Sequence, residues 1–198
     1  NHARRVYDLP ETPTMAIEWY EERPEGSVID DLSKWREDIE GLQNPIHAVY
    51  YEFLLFTGLR RSEALTLDWS NVHEDHIHLP MTKNGRSFDL PILDMDHEIL
   101  APLRGLSRTW VFPSPKSHEG HLTNPSRMKW GPHVHRRTFA TVAMEAGVLE
   151  EIVGRLLNHT PITITGSRYT KPSLDALRPS MEKTCVELSL RSSGGYHL

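Results

Sequence analysis

The stretch NPIHAVYYEFLLFTG, residues 44 to 58, constrains the fold more than any other part of the chain. Pro45 has the fixed φ that suits a first helical turn, and Gly58 suits the left-handed residue that closes a helix. The apolar residues between them are dense enough for a buried helix. A buried helix needs a shell of other elements, and 198 residues are enough for one domain with a full core. Apolar residues at 38% and charged residues at 25% fit a globular chain and argue against disorder. No apolar run approaches the roughly 20 residues of a membrane span. The opening residues NHARRVYDLP lack the apolar segment of a secretory leader. Cys185 is the single cysteine, so no internal disulfide or cysteine-based metal motif forms, which fits a reducing cytoplasm. The chain opens on Asn1 rather than Met, as a piece of a longer protein would.

The remaining pattern supplies the shell. Residues 14–22 read as a helix capped by Thr14, and residues 28–40 as a second, acidic one. LRRSEALTL is a short helix. DWSNV, HIHLP and SFDLPIL alternate apolar and polar residues as strands do, and Asn84-Gly85 between the last two is a hairpin signal. MDHEILAPLRGL reads as a helix interrupted by Pro102, and WVFPSPKSHEG as a link. Residues 132–147 form a helix with Pro in the first turn and Gly past the end. LEEIVGRLLNHT is another, residues 163–169 a short helix or turn, and residues 173–190 a final amphipathic helix. The expected class is α+β, mainly α-helical with a small three-stranded antiparallel sheet. Residues 1–44 are expected as a linker with short acidic helices at the domain edge, 45–190 as the domain, and 191–198 as a flexible tail.

The net charge of −5 does not advertise a nucleic-acid partner, but its distribution is uneven. Residues 1–56 carry 5 Lys and Arg against 12 Asp and Glu, whereas residues 121–178 carry 8 against 4. The rear segment is locally basic and holds GPHVHRRTFATVAMEAG, where two histidines and two arginines crowd the start of a helix.

Chemistry-bearing residues recur along the chain. Arg60 and Glu63 stand three apart, close enough for the carboxylate to orient the guanidinium toward a phosphate. Taken alone, they read as a solvated ion pair. Lys83 beside the hairpin turn is able to reach a phosphate or protonate a leaving oxygen, with Arg86 as its competitor; alone it reads as a turn lysine. His133 and Arg136 share a face of a first helical turn, where N–H groups and the dipole favour an anion. Arg137 and His135 leave that face. His159 ends an apolar helix, where it complements the dipole. Tyr169 follows a polar stretch with no apolar partner at helical spacing.

Together, in this order, these segments resemble the catalytic domain of the tyrosine recombinase (phage integrase) family, over about residues 45 to 172. TGLRRSEAL is similar to that family's first arginine segment and TKNGRSFDLPI to its lysine hairpin. HVHRRTFAT resembles its His-x-x-Arg segment and LLNHT its Leu-Leu-Gly-His segment, with the tyrosine following. Three departures stand out. His135 replaces the usual leucine, Asn158 replaces the usual glycine, and His159 to Tyr169 spans ten positions, one more than the commonest spacing.

The resemblance implies DNA strand cleavage and rejoining through a covalent 3′-phosphotyrosine, serving integration or excision of a mobile element. It implies Tyr169 as nucleophile, Arg60 and Arg136 as the phosphate clamp, Lys83 as the acid for the leaving 5′ oxygen, and His133 and His159 at the same phosphate. Glu63 would orient Arg60, and Arg61, Arg86, Arg137 and Lys171 would contact DNA. No cofactor and no metal are implied; the partners are double-stranded DNA and further copies assembled on it, with no membrane. The family usually carries an N-terminal domain that clamps the far side of the DNA, and the acidic helices at 14–40 are too short to be one. The rival enzyme is a type IB topoisomerase; the rival of another class is a catalytically silent DNA-binding relative. His73, His76 and His78 raise a metal site as a further alternative, against the plainer reading of a polar hairpin edge.

Overall fold

The computed structural model describes residues 28–82, 85–159 and 173–193. The helix expected over 14–22, the turn expected over 163–169, and Lys83, Tyr169, Lys171 and residues 194–198 lie outside them. Helix α1 spans Leu32–Glu40, α2 Pro45–Thr57, α3 Arg61–Leu65, α4 Asp94–Leu100, α5 Pro132–Glu145, α6 Glu150–Leu156 and α7 Leu174–Ser192. Strands β1, His76–Leu79, and β2, Phe88–Pro91, pair antiparallel with Ile77 opposite Leu90.

Helix α2 is the buried helix its sequence calls for. The Asn44 side chain accepts the Ile46 N–H, Pro45 opens the first turn, and Gly58 closes the last with φ of 63°. Tyr50, Phe53, Leu54, Leu55 and Phe56 are buried, and α5, α4 and α1 pack around them. Burial of each such side chain contributes roughly 1.5–3 kcal/mol. Helix α7 closes the core with Leu177, Met181, Cys185 and Leu188, lying against α5, α1 and β2 of its own chain.

The sheet has two strands among the described residues, not the three expected. The Asp68 carboxylate accepts the Ser70 N–H at 2.7 Å and bends Trp69–Asn71 into a 3-10 turn. Of the expected first strand, Val72 alone reaches the sheet, through a single bridge to Ile77. A short acidic side chain bonding its own backbone outcompetes the ladder there.

Two buried polar groups shape the core. His135 is fully buried, with Trp35 Nε1–H donating to its Nε2 at 2.9 Å. An indole only donates, so the ring proton sits on Nδ1, which donates to the Gly131 carbonyl at 3.0 Å. The ring also stacks on Tyr51, with centroids 5.2 Å apart. A histidine thus fills an apolar slot with both nitrogens satisfied, and burial pushes its pKa down to about 4. Asp96, on α4, is also fully buried. Its Oδ2 accepts the Leu93 N–H, its Oδ1 has no hydrogen-bond partner, and burial pushes its pKa up to about 7.

Gly58 is constrained twice. Beyond its left-handed φ, a Cβ there would stand 2.7 Å from Leu157 Cδ2 and 2.9 Å from Phe139 Cδ1. Gly58→Ala should therefore cost about 2–4 kcal/mol in denaturant unfolding; a loss under about 0.5 kcal/mol would mean that α2 and α5 do not meet so closely. The buried pair gives opposed pH effects. Unfolded His135 titrates near 6.5 and folded His135 near 4, so the unfolded chain binds more protons between them and stability falls as pH drops through that window. Unfolded Asp96 titrates near 3.8 and folded Asp96 near 7, so stability falls as pH rises through that one. Asp96→Asn should match the parent near pH 4 and exceed it by on the order of 4 kcal/mol at pH 8. Denaturant midpoints across that range check this, and a difference independent of pH would refute a neutral buried acid.

Candidate active site

The ends of α2 and α6 and the starts of α3 and α5 meet at one cleft of about 440 Å³, lined by Arg60, Arg61, Ser62, Pro132, His133, Arg136 and His159. A second cleft of about 460 Å³ lies between the start of α2 and the link at 113–124. It carries His47 and Lys116 but gathers no arginines, so the concentrated chemistry is in the first.

Arg136 is the buried member, 7% exposed. Its position on α5, one residue past His135, turns it about 100° from the core histidine and toward the cleft. Nη1 donates to the Gly58 carbonyl at 2.6 Å, and Nη2 donates to the Leu157 carbonyl. Both carbonyls are at helix C-termini, Gly58 at the cap of α2 and Leu157 at the cap of α6. Such ends carry partial negative charge and suit a cation. Burial first, then repulsion from Arg60, bring the Arg136 pKa down to about 10, with Glu63 opposing. The group stays charged at neutral pH.

Arg60 stands just ahead of α3 as its cap. Its Nη1 donates to Glu63 Oε1 at 2.8 Å and its backbone N–H to Glu63 Oε2 at 2.9 Å. The buried carboxylate therefore grips one residue by side chain and main chain together. Arg60 Nη2 donates to the Asn158 carbonyl at 3.1 Å. The contact expected between Arg60 and Glu63 is present, with Arg60 at the helix entrance rather than within the helix.

His133 is the second residue of α5 and faces solvent at the cleft. His159 follows α6, its N–H donating to the Gly154 carbonyl at 2.8 Å. Partial desolvation, then the charges of Arg136 and Arg60, hold the His159 pKa below its ordinary 6.5. A neutral imidazole at pH 7 keeps one N–H to donate.

Of the other candidates among the described residues, Arg61 alone borders the cleft. Arg61 lines the cleft, is exposed, and donates from Nη2 to the Thr123 carbonyl at 2.8 Å. Arg137 is half-buried and is not among the lining residues. Arg86 is exposed in the hairpin, its carbonyl accepting the Thr82 N–H and hydroxyl at 3.1 and 2.9 Å. The histidines of the sheet are engaged in pairs. His76 meets Asp75 and His78 meets Asp89, each at 2.6 Å, and the His73 ring stacks on His76. Among the described residues, no three His, Cys, Asp or Glu gather as a metal site, and no helix there is long and apolar enough to cross a membrane.

Sequence reasoning missed the groups that hold the arginines: the carbonyls of Gly58, Leu157 and Asn158. Every residue has a carbonyl, so composition gives no signal. One trace existed in Asn158, an unusual residue ahead of His159, whose φ is 49°.

The chain is 28% identical over 173 residues to the prophage integrase IntF of Escherichia coli (strain K12), covering 78% of this chain and 37% of that protein. It is 30% identical over 132 residues to the tyrosine recombinase XerC of Erythrobacter litoralis (strain HTCC2594), covering 58% of this chain and 42% of that one. It thus spans less than half the length of these curated relatives. Its fold is similar to that of the Tn1549 transposon integrase in complex with circular intermediate DNA, with a TM-score of 0.52 and 17% identity, covering 86% of this chain and 69% of that one. The phage integrase family model matches residues 37–175, a span that runs from the end of α1 through both arginines and the Leu-Leu-Asn-His turn, and by that match the chain belongs to the phage integrase family.

Proposed function

We propose that residues 45–190 are the catalytic domain of a site-specific DNA recombinase, which cleaves and rejoins strands through a 3′-phosphotyrosine and serves integration or excision of a mobile element. The observation that carries this reading is the convergence of two carbonyl-held guanidiniums with His133 and His159 on one cleft. The carbonyls on Arg136 fix it without cancelling its charge, and Glu63 is the one carboxylate paired with Arg60, so two guanidiniums against one carboxylate leave positive charge for an anion.

Attack on a phosphodiester builds negative charge on the nonbridging oxygens. Arg60 and Arg136 meet that charge, with Glu63 holding Arg60 in place. The Tyr169 oxygen forms the new bond to phosphorus as the bond to the 5′ oxygen breaks, and Lys83 gives that oxygen its proton. His133 takes the tyrosine proton or bonds the phosphate, and His159 donates to the same phosphate. The covalent link conserves the phosphodiester, so rejoining needs no cofactor and no external energy source. Arg61, Arg86, Arg137 and Lys171 contact the DNA backbone. Double-stranded DNA is the substrate, copies of the chain assemble on it, and the cytoplasm is the compartment.

Tyr169→Phe should form no covalent adduct on a nicked suicide duplex while still binding it; adduct at the parent rate would remove Tyr169 as nucleophile. Arg60→Ala and Arg136→Ala should each slow adduct formation by about 10²-fold or more at unchanged binding, and parent rates in both would sink the clamp. DNA affinity of this chain should be weak and fall steeply between about 50 and 200 mM salt. Tight binding insensitive to salt would count against backbone recognition. Supercoil relaxation without strand exchange would point instead to topoisomerase chemistry.

A further inference from the structure

The turn that ends α6 reaches both arginines at once. The Leu157 carbonyl accepts from Arg136 and the next carbonyl, that of Asn158, accepts from Arg60 at 3.1 Å. Two hydrogen bonds close this turn. The His159 N–H donates to Gly154 O at 2.8 Å, and the Asn158 N–H donates to Arg155 O at 3.0 Å. This is the paired bonding of a Schellman cap, which requires a left-handed residue between the last helical turn and the exit. Asn158 is that residue, at φ 49°, the one non-glycine with positive φ among the described residues.

We propose that Asn158 is a positioning residue whose left-handed backbone aims its own carbonyl at Arg60, ends α6 so that the Leu157 carbonyl is left for Arg136, and sets the exit of His159 into the cleft. The proposal rests on the reading of those arginines as the phosphate clamp. A right-handed residue at 158 would continue the helix and keep the 157 and 158 carbonyls parallel to its axis. The left-handed turn swings the 158–159 peptide, and with it the Asn158 carbonyl, toward Arg60, and by ending the helix it leaves the Leu157 carbonyl without a helical N–H donor and open to Arg136. Glycine enters this region without penalty, asparagine at small cost, and residues branched at Cβ only under strain. The positioning role runs through the backbone, and glycine is the replacement that keeps the left-handed conformation.

The test compares Asn158→Gly, Asn158→Ala and Asn158→Val. The substrate is a nicked duplex that the unaltered protein captures covalently from a randomised pool, used at saturating concentration and below each variant's melting temperature. Asn158→Gly should stay within about threefold of the parent rate. Asn158→Val should fall by about tenfold or more, with DNA affinity within about threefold of the parent, because small displacements of a clamp are costly to rate. Asn158→Ala should fall between them and covers the case in which the valine variant does not fold. A second readout needs no DNA: NMR of the arginine Nη groups should show slowed guanidinium rotation for Arg60 and Arg136 in the parent and Asn158→Gly, lost in Asn158→Ala. Equal rates and equal arginine spectra in all three variants would overturn the proposal alone. If the parent captures no duplex, the clamp reading falls and the positioning role in catalysis with it.

Discussion

The buried guanidinium of Arg136 is the interaction on which the rest of this structure depends. Its removal from water is unfavourable, and among the described residues no carboxylate pairs with it directly to offset that. Two helix C-termini do so instead, through the carbonyls of Gly58 and Leu157. Each brings the partial negative charge that accumulates where the last carbonyls lack partners. This solution demands that α2, α5 and α6 converge within hydrogen-bond reach of one side chain. The convergence is made by Gly58, whose missing Cβ lets Phe139 and Leu157 close over the end of α2. Core packing and site geometry are the same set of contacts at this point, so neither is free to vary without the other.

The crowded opening of α5 divides along the same logic. Successive residues on a helix point about 100° apart, so five neighbours cannot share a surface. His133 and Arg136 take the cleft. His135 takes the core, where it is a polar filler with both nitrogens bonded, to Trp35 and to Gly131. That pairing also ties α1 to α5, reinforced by the Ile29 N–H donating to the Thr138 hydroxyl at 2.8 Å, one turn further along α5. The acidic helix ahead of α2 is thereby part of the frame that holds α5, through Trp35, Leu32 and Ile39.

Much of this was legible in the sequence because it is local. Pro45 with Gly58, Pro132 with Gly147, and the apolar run between 46 and 56 fix helices by signals within a few residues of their ends. The spacing of Arg60 to Glu63 and of His133 to Arg136 fixes pairs for the same reason. The misreading at Asp68–Val72 was local too, since alternation suits a strand and a cap-bonded turn equally until the Asp68 carboxylate is seen to choose. What could not be read is long-range or written in the main chain. Trp35 and His135 are 100 residues apart, and nothing in either residue names the other. The carbonyls of Gly58, Leu157 and Asn158 carry no side-chain signature at all. His135 and Asn158 were visible as oddities, and each proves to be the residue whose local chemistry makes its position work: a neutral imidazole between two partners, and an asparagine in a left-handed turn.

The overall charge then takes on a specific meaning. The chain carries a net charge of −5, while its cleft presents Arg60, Arg61 and Arg136, with the buried carboxylate of Glu63 paired to Arg60. Screening at physiological salt confines these fields to about 8 Å. Beyond that distance the net negative charge contributes little repulsion, and at the cleft the arginines set the local field. If the cleft binds DNA as proposed, engagement depends on a phosphate entering it in register with the held guanidiniums. The division of labour is between far-field and near-field electrostatics. On the proposed reading the first does little to draw the chain to backbone phosphate, and the second rewards the geometry in which a strand meets Arg60, Arg136 and His159 together.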